Sequence, residues 1–522
     1  MVTLLAICAS LVIILLSLIP LTLVYKLWWG PLHLQHTIKS QGITGPSYKF
    51  LHGTTKEIIK IKQESSRTPM DMSSHDIFPR IQPHLYSWMK LYGNNFLHWI
   101  GTQPHVVTEP ELIKEILSNK YGKYPKSKLK GYLKKLLGDG IVVAEGEKWL
   151  KLRKLANHAF HGECLKDMVP SMIASVETML DKWRRYEGEE INVCSDFRLL
   201  TSEVISRTAF GSSYLEGRKI FDMLTDLSAL ISRNMHKVRF FGVENWKFSR
   251  NHTRKFVRSC DDIEADKIEK SLHDSIMKIV KKRRDKVEKG RARDFGNDFL
   301  GSLLNVHHDM DPRNPISAGE IIDECKTFYF AGQETTYGLL SWSVLLLAIH
   351  TDWQEKARKE VLDLFGRGKP NSEGIARLKI VNMIIYETLR LYSPVTNIAR
   401  RTDSKVKLGK YELPANVTLS ILPLALHRNP EIWGQDAHFF RPDRFADGLA
   451  KTTSGNATAF LGFGFGPRIC AGLNFASNEA KITLSMILQR YKFTLSPNYV
   501  HSPSIVLTTQ PQHGVQILLQ PL

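Results

Sequence analysis

The chain has 522 residues, 43% hydrophobic and 24% charged, which excludes wholesale disorder and leaves room for a large core or for two or three ordinary domains. Its 71 Lys+Arg against 52 Asp+Glu give a formal charge of +19, which favours an anionic partner: acidic lipid, nucleic acid or an acidic protein face. Six cysteines, none in a CxxC pair or near a His at zinc-finger spacing, exclude a disulfide scaffold, a structural zinc site and a redox dithiol.

Residues 2–24, VTLLAICASLVIILLSLIPLTLV, carry no charge. As a helix they would span roughly 34 Å, against about 30 Å of bilayer hydrocarbon. A cleaved signal would begin with a basic leader, and this one does not, so residues 1–26 are expected to be a retained membrane anchor. Lys26, Trp28 and Trp29 suit the headgroup layer, and the basic flank on the C-terminal side places the rest in the cytosol. Residues 27–60 read as a polar connector, with GITGP at 42–46 as a turn. From there no Ser/Gly linker, low-complexity tract or repeat interrupts the chain, so 61–522 is expected to be one large domain. Helical periodicity covers 165–185 and 318–349; β-like runs lie near 95–108 and 404–422 and from about 491 onward. The fold class is therefore mainly α with a small β region.

In chain order, the first chemical motif is Trp149-Leu-Lys-Leu-Arg153. At i and i+4 the Trp and Arg share a helix face and can together hold one carboxylate. KKRRDK at 281–286 looks like a nucleic-acid patch, but it continues a helical segment, has acids interleaved and lacks stacking aromatics. It reads as a solvated helix end, and no nucleic acid is expected. Next is a long helix opened by the capping box Ser317-x-x-Glu320, with AGQETT at 331–336 inside it. Mid-helix glycine costs about 1 kcal/mol relative to alanine, so Gly332 needs a reason. Thr335 can bond back to the Ala331 carbonyl, opening the ladder into a groove able to hold a diatomic ligand and water, with Thr335 and Glu334 as its polar groups. Glu387-Thr-Leu-Arg390 sets an acid and a base three apart on one face, an ion pair in the making.

The last motif is FGFGPRICAG, 463–472, which spends three glycines, a proline and two aromatics on Cys470. Gly464 and Gly466 permit a tight loop whose amides approach the sulfur, and Phe463 can cover it. The sequence after it reads as a helix beginning at the cysteine, its dipole facing a negative sulfur, and Gly472 would let a flat macrocycle lie against the first turn. A thiolate held this way is a metal ligand.

This decapeptide resembles the haem-binding loop of cytochromes P450, whose haem iron is held by a cysteine thiolate. The other motifs follow in that family's order and spacing, and the resemblance covers nearly the whole chain. It implies the cytochrome P450 fold, a single haem domain behind an N-terminal transmembrane helix. It implies haem b, with Cys470 as the iron ligand and Arg468, Trp149 and Arg153 on its propionates. Arg400 is a further propionate partner, with Arg400 and Arg401 both available to face inward. Thr335 and Glu334 would then be catalytic, steadying dioxygen and relaying protons. Glu387 and Arg390 would form a buried structural triad with Arg444, from FRPDRF at 440–445. Ser393-Pro394 is a local departure, since plant members often carry two prolines there.

The resemblance is to plant microsomal members, of the branch containing secologanin synthase and hydroxylases of plant hormones and triterpenoids. It implies NADPH-cytochrome P450 reductase as electron donor, membrane lipid as a second partner, and the endoplasmic reticulum membrane, single-pass, with a cytosolic catalytic domain. Phe328, Ala331, Thr396, Asn397, Val506 and Leu507 are expected to line the substrate pocket, together with the segment before Trp149. The polar Thr396 and Asn397 amid apolar neighbours point to a small hydrophobic substrate that is partly oxygenated: a terpenoid, steroid or plant hormone. The alternatives are a fatty-acid or xenobiotic hydroxylase, an enzyme that rearranges peroxides without dioxygen, and a non-catalytic haem-binding membrane protein.

Overall fold

In a computed structural model, residues 10, 18, 20–119, 122–234, 259–308, 316–453 and 455–522 are described. Most of the expected anchor therefore lies outside the described residues. Among those described, no helix is long and apolar enough to cross a membrane.

The stretch expected to be a connector is folded structure. Helices α1 (Gly30–Lys39) and α2 (Thr55–Ser65) occupy much of it. Ile38, Ile43 and Tyr48 are buried in a small core with Leu97, Trp99 and Leu419. Gly45 shows how close the approach is: a Cβ there would sit 1.9 Å from the Leu97 carbonyl oxygen. The polar composition of 27–60 concealed a few apolar side chains that all point the same way.

Helix α3 (Pro83–Tyr92) leads to strands β1 (Phe96–Ile100) and β2 (Gln103–Val107). These join two later strands, β4 (Ile398–Arg401) and β7 (Thr418–Ile421), in one sheet of order β1-β2-β7-β4. β2 and β7 pair in parallel and the other pairs are antiparallel. Between β4 and β7 lies the hairpin β5 (Val406–Leu408) and β6 (Tyr411–Leu413). β3 (Glu190–Asn192) joins a second sheet with two tail strands, β8 (Tyr491–Leu495) and β11 (Gln516–Pro521), while β9 (Pro503–Ile505) and β10 (Thr509–Pro511) form a ribbon between them.

The helices form the bulk: α4 (Gly146–Ala159), α5 (Gly162–Trp183), α6 (Val193–Phe210), α7 (Tyr214–Asn234), α8 (Cys260–Glu288), α9 (Ala318–Ile349), α10 (Ile380–Leu391) and α11 (Leu473–Arg490). The capping box of α9 is formed, with the Glu320 N–H on Ser317 Oγ at 3.2 Å and the Ser317 N–H on Glu320 Oε2 at 2.9 Å. α9 is buried along most of its length because α6, α10 and α11 all pack on it, so its sequence has no single apolar face. The 281–286 run is the end of α8, but it is more than a solvated end. Arg283, half-buried, bonds the Phe210 carbonyl and Asp298, both at 2.8 Å, and so ties α8 to the end of α6.

Candidate functional site

The cysteine loop is shaped by two left-handed glycines, Gly464 at φ 76° and Gly466 at φ 74°. Gly466 is also a close-approach position, since a Cβ there would lie 2.3 Å from the Leu117 carbonyl oxygen. The loop closes when the Cys470 N–H donates to the Phe463 carbonyl at 2.9 Å. Helix α11 starts at Leu473, with Gly472 as its N-cap, three residues later than expected. The cysteine thus sits on the approach to the helix, with the Gly472 N–H near enough to the sulfur to favour its ionised form. Burial pushes the thiol up, while that N–H and the Arg153 cation pull it down. Cys470 nevertheless keeps accessible surface. Nothing lies within 4 Å of a Cβ placed on Gly472 or Gly464, so both leave room beside the thiol.

Around this loop the structure gathers cations. Arg468 stacks over the Trp149 ring, 4.3 Å from its centroid, and pairs with Glu145 at 2.6 Å. Arg153 donates to the Ile469 carbonyl. Trp149 and Arg153 do share a face of α4, and that face grips the cysteine loop at two successive residues. Arg400 is buried in β4 facing Arg468, while Arg401 points out to Asp403, which settles which of the pair turns inward. A fourth cation, Lys126, had no motif to announce it. Its backbone N–H donates to Glu145 Oε1 at 2.7 Å, and its ammonium sits near Arg400 and Arg468. Burial and these like charges push Lys126 down to about 7 and Arg400 down to about 10.

Three of these cations, Lys126, Arg400 and Arg468, thus share one carboxylate, Glu145, while Arg153 faces the thiol, and Arg468 Nη1 is buried with no partner. Two more carboxylates would balance those three charges, as an ionised thiol would balance Arg153. A flat dianion whose centre accepts a soft sulfur ligand meets these demands, and haem, with its iron and two propionates, is such a group.

On α9 the Thr335 hydroxyl donates to the Ala331 carbonyl at 2.7 Å. The helix stays continuous there, contrary to the expected opening of the ladder. Gly332 has a different reason: a Cβ would come within 2.8 Å of Ile205 on α6. Glu334 is buried and turns toward α6, 3.3 Å from Arg198, with the Thr508 hydroxyl at 3.4 Å. Burial raises its pKa, and Arg198 and Thr508 hold it down. Arg198 also bonds Gln510 and lies over the Tyr337 ring. These partners come from segments with no recognisable signature.

Glu387 and Arg390 are fully buried and doubly bonded, Nε and Nη2 each 2.7 Å from a carboxylate oxygen. Arg444 approaches Glu387 at 3.7 Å and is held by Asp436 at 2.7 Å. Arg390 further donates to the carbonyls of His427, Ala437 and Phe439, so every charge in the triad is answered.

The expected pocket residues divide. Val506 shares a cavity of about 500 Å³ with Glu334, Arg198, Phe330 and the α7 residues Leu224 and Ser228. Thr396 is buried and its carbonyl accepts from Gln82 at 3.3 Å, Asn397 is exposed, and Ala331 and Leu507 are half-buried. Phe328 belongs to the core: it stacks on Phe160 at 5.3 Å and meets Phe299 at 4.1 Å. The segment before Trp149 is pinned to α9. The Ile141 N–H donates to Glu324 at 2.6 Å, the Asp139 N–H to Asp323 at 3.0 Å, and Thr327 to the Leu137 carbonyl at 2.8 Å. Burial pushes Glu324 up to about 8.

The family model described as Cytochrome P450 matches residues 76–517. Cytochrome P450 CYP749A22 of Panax ginseng is 55% identical over 498 residues, covering 95% of this chain and 93% of that protein. An 11-oxo-beta-amyrin 30-oxidase of Glycyrrhiza uralensis is 42% identical over 513 residues, covering 96% and 95%. Among solved structures, the cytochrome P450DA heme domain superposes with a TM-score of 0.70 at 24% identity, over 83% of this chain and 90% of that one.

Proposed function

This chain belongs to the cytochrome P450 family and is a monooxygenase with haem b as its cofactor, and we propose that it hydroxylates an oxygenated terpenoid, with electrons from NADPH-cytochrome P450 reductase at the endoplasmic reticulum membrane. When bound, the haem supplies dioxygen activation, and the thiolate's electron donation favours O–O cleavage.

The chain's own residues divide the remaining tasks. Cys470 is the candidate iron ligand. Its charge would be stabilised by the Gly472 N–H and by Arg153, which also holds the loop through Ile469. Arg468, Arg400, Lys126 and Trp149 would receive the two propionates and so fix the plane of the group. Thr335 Oγ1 donates its hydrogen to the Ala331 carbonyl, and its hydroxyl would be the group that holds a proton next to the haem. Glu334 carries the proton supply. It is buried between Arg198 and Thr508 at separations loose enough to exchange partners. Glu387, Arg390 and Arg444 keep the ground beneath the loop fixed.

The observation that carries the substrate class is the 42% identity, over almost the whole chain, to an oxidase that acts on an already oxygenated triterpenoid. The polar Thr396 and Asn397 and the half-buried apolar Val506 and Leu507, taken as pocket positions, support the same reading with a polar handle on an apolar wall. The test is a difference-spectrum screen of purified protein against oxygenated triterpenoids, steroids, plant hormones and fatty acids, followed by turnover with reductase and NADPH. Spin-state shifts and hydroxylation with an oxygenated triterpenoid are expected. Turnover of unfunctionalised alkyl chains alone would reject the assignment.

A further inference from the structure

Residues 137–141, Leu-Gly-Asp-Gly-Ile, are held against α9 at three of its side chains. The Thr327 hydroxyl donates to the Leu137 carbonyl, Asp323 accepts the Asp139 N–H, and Glu324 Oε1 accepts the Ile141 N–H, the last and shortest at 2.6 Å. A glycine makes this approach possible, since a Cβ on Gly140 would lie 2.5 Å from Glu324 Oε1. From there the chain reaches Glu145 in one closed turn, because the Gly140 carbonyl accepts the N–H groups of Val143 and Ala144 at 3.0 and 2.9 Å. Glu145 then takes the Lys126 N–H at 2.7 Å and pairs with Arg468 at 2.6 Å. A shift of Ile141 on α9 therefore moves the carboxylate that the cation cluster shares.

Glu324 is 0% exposed, and its second oxygen, Oε2, is buried without a hydrogen-bond partner. Among the described residues, the cations around it are engaged with other acids. Lys148 on α4 pairs with Glu320 at 3.1 Å, Lys326 with Asp323 at 3.5 Å, and Lys134 with Asp139 at 2.7 Å. Asp323 and Glu320 oppose a negative charge on Glu324, Lys148 favours one, and Cys325 beside it is kept protonated by burial, with Asp298 beyond. A carboxylate in this place would have one donor, the Ile141 N–H, for two oxygens.

We propose that Glu324 is a positioning residue for the haem edge: it holds the 137–141 turn on α9 and, through that turn, sets Glu145 against Lys126 and Arg468. This rests on the reading of the cation cluster as the propionate site. Glu324 acts here as a neutral acid. Docked, burial above all, and then Asp323 and Glu320, push it up to about 8. Lifted off α9 into water, the carboxyl returns to its ordinary value of 4.5. Between those values the open turn binds fewer protons than the docked one. Opening therefore grows with pH across that window, by at most about tenfold per unit, and levels off above it.

The experiment is hydrogen exchange of residues 137–145 in the full-length holoenzyme in detergent, each rate divided by that of the unstructured peptide at the same pH. Wild-type protection should fall at least about tenfold from pH 6 to 8 and then hold level. Glu324→Gln keeps the acceptor oxygen and cannot ionise. Its protection should stay flat and exceed that of the wild type at least about tenfold at pH 8. Haem transfer to a scavenger should follow the same contrast, faster in the wild type than in the variant at pH 8. Gly140→Ala, whose Cβ meets Glu324 Oε1, should lose the protection at every pH and speed haem transfer. It decides alone should Glu324→Gln fail to fold. The same pH course in wild type and Glu324→Gln, loss of protection in that variant, or full protection in Gly140→Ala would overturn the proposal. So would an exchange course that haem transfer ignores, since the turn would then not set Glu145. The substrate assignment depends on none of these results.

Discussion

Two clusters of charge flank the cysteine loop, and they are built on opposite rules. In the Glu387–Arg390–Arg444 cluster each charge is answered by an acid, a base or a carbonyl oxygen, and Glu387 and Arg390 are wholly buried. In the cluster of Lys126, Arg153, Arg400 and Arg468, three cations share Glu145, and each of the four lies near another cation that repels it. A closed ledger of charge stabilises the fold by itself. An open one is a site waiting for a counter-charge, and it lowers the stability of the protein that carries it until the counter-charge arrives.

The largest effect should come from opening the closed cluster. Glu387→Gln keeps the shape but leaves the Arg390 guanidinium uncompensated at zero exposure. A loss of about 3–5 kcal/mol is expected, read as a fall in the urea midpoint and failure to accumulate protein with a thiolate-type spectrum. A variant that folded normally would show that the carbonyls of His427, Ala437 and Phe439 suffice for Arg390, and the comparison would lose one side.

The open cluster should behave oppositely with pH. Lys126 is held near 7 in the folded protein, far below its ordinary value of 10.5. Above pH 7 and below 10.5 the unfolded chain binds more protons at this residue than the folded one, so stability rises with pH through that window and is lowest below it. Haem-free protein should therefore show a melting temperature that climbs from pH 7 toward 10, relative to Lys126→Gln. Haem should abolish the difference, because propionates restore the charged form. An identical pH profile in the two proteins would mean that Lys126 is not part of the open cluster.

Arg400→Gln sharpens the contrast with two signs from one substitution. Removing a repelled, buried cation should stabilise the haem-free protein, on the order of 1 kcal/mol. It should also weaken haem retention roughly tenfold, the value of one hydrogen bond to a charged group, measured as haem transfer to a scavenger. No residue of the closed cluster can give that pair of results.

The two clusters were not equally legible in the sequence. Glu387 and Arg390 lie three apart on one helix, and Thr335 and Ala331 four apart on another, so their contacts follow from helical geometry alone. The capping box of α9 and the general places of the strands were readable for the same local reason. The open cluster draws on the loop at 126, on α4, on β4 and on the cysteine loop, and only tertiary pairing brings these together. Lys126, Glu145 and Arg198 therefore gave no signal. Gly332 was misread because its packing partner, Ile205, belongs to a different helix. Phe328 shares a helical stripe with Ala331, but the aromatic rings of Phe160 and Phe299 claim it for the core. The apolar residues of 27–60 were too sparse to reveal that they complete a sheet's core.

The smallest expected effect is also the sharpest control. Arg400 and Arg401 are neighbours on β4, so the two-residue period of a strand sends them to opposite faces. Pairing with β7 sets the phase: Arg400 lies opposite Leu419 and Arg401 opposite Thr418. Arg401 ends on Asp403 with both side chains partly in solvent, where screening leaves an ion pair worth little. Arg401→Gln should thus change stability by less than about 0.5 kcal/mol with or without haem, and leave haem transfer unchanged. Should it weaken haem retention as much as Arg400→Gln, the deciding quantity would be the summed positive field of the strand. The local imbalance at the buried cluster would then no longer explain where haem binds.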